Sequence, residues 1–100
     1  MDWTRARAEV GRSLAVSGPI AGISYRPQSR GQPTWINIGA DFPDTGRFVA
    51  VVWGRNREAL AALINSLKVG DEICISGIVE EFDGVSQIEI EGSSQIERLY

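Results

Sequence analysis

The chain has 100 residues, 43% of them hydrophobic and 23% charged, with a net charge of −3. That is enough for one domain that removes roughly two thirds of its unfolded surface from water and folds without a metal or disulfide staple. A single cysteine, Cys74, leaves no disulfide framework. The absence of histidine excludes Ser–His and Cys–His catalysis and histidine-ligated metals, and no apolar run approaches the roughly 20 residues that span a bilayer.

Asp2 is placed to cap a short helix in which Trp3, Ala6 and Val10 share a face, ended by Gly11, with Trp3 packing rather than binding. Ser13 to Tyr25 reads as a long strand bent at Gly18-Pro19, because proline cannot donate to a ladder and glycine tolerates the kink. An Arg-, Gly- and Pro-rich loop, Arg26 to Pro33, leads into Thr34-Trp-Ile-Asn-Ile-Gly39. There Ile36 and Ile38 alternate with Trp35 and Asn37, so isoleucines facing a core send Trp35 and Asn37 to the opposite face. After the turn-rich link Ala40 to Gly46, Arg47-Phe-Val-Ala-Val-Val-Trp53 reads as a third strand with both faces apolar: Phe48, Ala50 and Val52 on one, Val49, Val51 and Trp53 on the other. Asn56 is a suitable cap for a helix over Arg57 to Leu67, with Leu60, Leu63, Ile64 and Leu67 at three- and four-residue spacing. A fourth strand runs from Glu72 to Phe82. The Asp83-Gly84 hairpin signal follows, then Val85 to Glu91 alternates as a fifth strand, and Ile96 and Leu99 in the tail are expected to tuck back.

Charge is unevenly distributed along this order. Up to Arg57, eight arginines stand against four acids, whereas from Glu58 onward two cations stand against nine acids. Nine of the ten cations are arginine, which suits planar contacts to phosphates and bases, although each guanidinium could equally pair with a carboxylate of its own chain. Two indoles on a sheet face beside a cationic loop can stack bases and attract phosphates. The same apolar face could be covered by a helix or by a partner chain.

The order strand, strand, strand, helix, strand, strand resembles the OB-fold over roughly Val10 to Leu99. Val10-Gly11 leading into Val16-Ser-Gly, then Gly31-Gln-Pro-Thr-Trp-Ile-Asn-Ile-Gly39, Phe42-Pro43, Phe48-Val-Ala-Val-Val52 and Gly84-Val-Ser-Gln-Ile88, are similar to small prokaryotic OB domains of the nucleic-acid-binding superfamily. The resemblance implies an all-β domain with one or two short helices: a five-stranded Greek-key barrel over residues 13–99, its helix between strands three and four, behind an N-terminal helical extension over 1–12. It also implies that nucleic acid lies across strands two and three, gripped by the loops joining strands one to two and four to five. Carried over by position, it points to Arg26, Arg30, Trp35, Asn37, Arg47, Val49, Val51, Trp53 and the Phe82 to Val85 hairpin, with the indoles as stacking platforms and the loop arginines as phosphate clamps. Acids at Glu80, Glu81 and Asp83 flank the second of those loops and would repel a phosphate backbone.

Catalysis is not expected. Cys74 sits between Ile73 and Ile75 as a small strand residue, and adjacent acids such as Glu80 and Glu81 point to opposite faces of a strand. The expected protein is therefore a non-enzymatic module without cofactor or metal, binding single-stranded DNA or RNA. The alternative is a protein-interaction or self-associating subunit of a larger complex. The start, Met1 to Arg7, lacks the apolar core of a signal peptide, and a cytoplasmic, reducing location with no membrane partner is expected.

Overall fold

The computed structural model describes residues 1–100. Its elements are α1 (Trp3–Ala6), β1 (Ser13–Tyr25), β2 (Thr34–Ile38), β3 (Phe48–Val52), α2 (Gly54–Ser66), β4 (Glu72–Ile78), β5 (Glu80–Phe82), β6 (Val85–Glu89) and β7 (Ile96–Arg98). The strands are ordered β5-β6-β3-β2-β1-β4-β7.

The long first strand serves two partners. Ser13 to Pro19 pair with β4 and Ile20 to Tyr25 with β2, so the hand-over falls at the expected Gly18-Pro19 bend, with the register shift itself between Ile20 and Gly22. Pro19 loses nothing there: its carbonyl accepts from Gly39 N–H at 2.8 Å, and Ile20 N–H turns to the Asp71 carbonyl. β3 pairs in parallel with β6, and β6 pairs with β5, which continues from β4 and so closes the ring.

The strand count differs from the expected five for two reasons. Val79 leaves the ladder between β4 and β5, because its N–H donates to the Arg12 carbonyl and its carbonyl accepts from Gly11 N–H. The tail adds β7 to the outer edge of β4, which buries Ile96 but leaves Leu99 exposed. Helix bounds move too. α1 stops at Ala6 with Val10 exposed beyond it, although Asp2 does cap it by accepting from Thr4 N–H. α2 starts at Gly54 rather than Arg57, with Trp53 rather than Asn56 at the cap. The Gly31 carbonyl accepts from Gly54 N–H at 2.8 Å, so the β1–β2 loop supplies the partner that a side-chain cap would have given.

Alternate strand positions build the core: Val16, Ile20, Ile36, Ile38, Phe48, Ala50, Val52, Ile73, Ile75, Ile88 and Ile90 are all buried, joined by Leu60, Ile64 and Leu67 from α2. Each large side chain among them contributes about 1.5–3 kcal/mol by leaving water. No helix is long and apolar enough to cross a membrane.

Candidate functional site

The outer face of the barrel follows from strand register. One row runs Ser24, Trp35, Val51, Glu89 and the next runs Gly22, Asn37, Val49, Gln87, Glu80. Trp53 lies two residues beyond Val51, one step further toward the β1–β2 loop.

Trp35 and Trp53 lie outside the barrel core. Both are half-buried and pack on a separate small apolar cluster of Val49, Val51 and Val85. The two valines of β3 are 5% and 1% exposed, so they are the floor beneath the indoles rather than a contact surface. Trp53 is held firmly. Its Nε1–H donates to Glu89 Oε1 at 3.1 Å, and Gly31 lies against its ring so closely that a Cβ would come within 2.9 Å of Cε3. Gly31 also has φ +79°, a backbone conformation and a space that only glycine satisfies together.

The other end of the face is built differently. Asn37 does point away from the isoleucines, but it is 3% exposed, and its amide donates to Asp41 Oδ1 at 2.8 Å. The Asp41 carboxylate lies over Gly22, so an acid occupies this end of the face. The Asn37 amide, followed by the Phe42 N–H, holds the Asp41 carboxyl below its ordinary value of 3.8. A depressed folded-state value stabilises above the unfolded pKa and is lost as pH falls through the folded one, so this contribution disappears only in acid, below 3.8. Asn37→Ala should move the Asp41 titration upward toward the ordinary value in a carbon-detected NMR pH series. An unchanged midpoint would show that the amide does not hold it. Arg47 belongs to the same end, its guanidinium 5.1 Å from the Phe42 ring centroid and donating to the Asp44 carbonyl.

Apart from Arg12, the arginines are not spent on internal ion pairs. The one salt bridge is Arg12 to Glu9. Arg26 and Arg30 are exposed in the loop that touches Trp53. The structure therefore gathers Trp35, Trp53, Val51, Arg26 and Arg30 toward the β1–β2 loop, sets Val49 across from Asn37 in the next row, and leaves Asn37 and Arg47 at the other end. The sequence reading missed Glu89, which fixes Trp53, and Arg57, which stacks on Tyr25 with Cζ 3.8 Å from the ring centroid. Phe82, in the hairpin that the resemblance points to, is exposed where β5 turns into β6. Alternation along β6 puts Glu89 on a face, but no local signal says that β6 lies beside β3.

No protein-family model matches the sequence, and no curated protein matches it either. Solved structures match in shape. OBody AM1L10, solved bound to hen egg-white lysozyme, aligns over 98% of this chain and 89% of its own, with a TM-score of 0.66 at 20% identity. The chain has an OB-fold. A chain of the S. pombe Stn1–Ten1 complex aligns over 88% of this chain and 58% of its own, with a TM-score of 0.62 at 17% identity. Asparaginyl-tRNA synthetase from Pyrococcus horikoshii aligns over 90% of this chain and 20% of its own, with a TM-score of 0.61 at 17% identity. At these identities the likeness is one of fold. It includes a fission-yeast complex, so nothing in it singles out the prokaryotic domains expected above.

Proposed function

We propose that this OB-fold domain is a non-catalytic module that binds single-stranded DNA or RNA across the outer face of β2 and β3, at the end nearest the β1–β2 loop. The observation that carries this reading is the pair of half-buried indoles outside the barrel core, resting on a valine floor beside the exposed, unpaired Arg26 and Arg30. Aromatic platforms beside mobile cations are what a flexible polyanion with exposed bases requires. The fold neighbours include a tRNA synthetase, a protein whose name carries its RNA. The absence of histidine supports binding without chemistry, and the single cysteine suits a cytoplasmic location.

A titration tests it. Oligo-dT or oligo-rU should quench tryptophan fluorescence at low salt. With two arginines on phosphates, the log–log salt slope should be about −1.4, so a fourfold rise in salt costs about sevenfold in affinity. Arg30→Ala should flatten the slope to about −0.7. A second reading, a protein-interaction or oligomerisation subunit, draws support from Phe82, exposed beside Glu80, Glu81 and Asp83, and from the OBody neighbour that carries lysozyme. Absence of quenching, together with a concentration-dependent dimer in sedimentation, would favour that reading.

A further inference from the structure

The β1–β2 loop leaves and returns at adjacent positions. Tyr25 pairs with Thr34, and Arg26 N–H donates to the Pro33 carbonyl at 2.9 Å. From the first turn of α2, Arg57 stacks on the Tyr25 ring and donates Nη1–H to Thr34 Oγ1 at 3.0 Å. Neither partner is a carboxylate, and the guanidinium makes no salt bridge. Tyr25 is thereby held from one side while remaining 42% exposed.

Next to that ring the loop forms an open concavity of about 260 Å³, lined by Tyr25, Arg26, Pro27, Gln28 and Ser29. Arg57 is not part of the lining. Its size falls below the roughly 300–1,000 Å³ of pockets that enclose a drug-sized molecule, which suits one flat ring system rather than a cofactor. The lining offers an aromatic surface, one cation, an amide and a hydroxyl. Through Gly31, the same loop lies against the Trp53 ring.

We propose that Tyr25, backed by Arg57, stacks one unpaired nucleobase in this concavity, with Arg26 at its phosphate and Gln28 and Ser29 at its polar edge. The inference rests on the reading of the β2–β3 face given above: a strand lying on Trp35 and Trp53 continues into the loop. A preformed cation–π pair keeps the ring in place before ligand arrives, so less side-chain freedom is lost on binding.

Labelled oligo-dT anisotropy on the whole chain tests it with three variants. Tyr25→Ala should lose roughly 5- to 150-fold in affinity, the worth of one base–aromatic stack, whereas Tyr25→Phe should bind like the parent because the ring face is kept. If Tyr25→Ala binds like the parent while Trp35→Ala is weakened, the loop pocket is overturned and the face reading stands. If the parent itself does not bind, both fall. Equal losses in Tyr25→Ala and Tyr25→Phe would overturn stacking in favour of the hydroxyl. Photo-crosslinking of the parent to 5-iododeoxyuridine oligonucleotides needs no variant to fold. Adducts on the peptide carrying Tyr25 are expected, and adducts confined to Trp35 and Trp53 would overturn the proposal. Full displacement of the oligonucleotide by equimolar dTMP would overturn it as well, because it would make the hollow a mononucleotide site rather than part of a strand path.

Discussion

Trp35→Ala should weaken oligo-dT binding by about 5- to 150-fold, the range for removing one base–aromatic stack worth about 1–3 kcal/mol. The effect should be read against Trp53→Ala, and Trp35 is the cleaner probe. Trp53 is bonded to Glu89 and packed on Gly31, so its removal also loosens the loop that carries Arg26 and Arg30. Trp35 has no hydrogen bond to another side chain and rests on Val49 and Val51, both of which stay in place beneath it. Fully buried tryptophans cost about 3–5 kcal/mol when cut to alanine, and a half-buried one on an outer face should cost about half of that. Thermal denaturation would therefore still show a cooperative transition. Wild-type affinity in a folded Trp35→Ala protein would remove the platform from the binding account.

The largest effect on stability is expected at Gly39. Its φ of +81° is a region that residues with a Cβ avoid, and a Cβ built there would overlap the Trp3 indole. Gly18 approaches the same ring, its Cβ position lying 2.6 Å from Trp3 Cδ1. The four-residue α1 thus sets its indole against two glycines of the barrel, with Met1 N donating to the Ala15 carbonyl and Ser17 N–H donating to the Met1 carbonyl. Gly39→Ala combines backbone strain of about 1–3 kcal/mol with overpacking of about 1–3 kcal/mol. The melting temperature should fall by about 8–48 °C, taking roughly 4–8 °C per kcal/mol for a domain of this size. A double-mutant cycle identifies the cause. With Trp3→Ala already present, Gly39→Ala should cost only the backbone strain, so the two losses should not add. Strict additivity would show that the ring is not what the glycine accommodates.

Alternation by itself placed Trp35 opposite Ile36 and Ile38, because a strand's two-residue period is a local property of the backbone. Local chemistry likewise announced the Asp83-Gly84 hairpin, the bend at Gly18-Pro19 and the apolar stripe of Leu60, Leu63, Ile64 and Leu67. Periodicity was silent where both faces are apolar. In β3, only the packing of Trp35, Trp53 and Val85 over Val49 and Val51 made one side the core and the other a floor. Each remaining difference comes from a partner distant in sequence. Val79 breaks the fourth strand for Gly11 and Arg12, Gly31 starts α2 early, Glu89 takes the Trp53 N–H, and Arg57 stacks on Tyr25. Composition and spacing specify which groups need partners and which face they leave by. Which partner meets each need is decided by the closed ring of strands, which brings residues tens of positions apart within hydrogen-bonding distance.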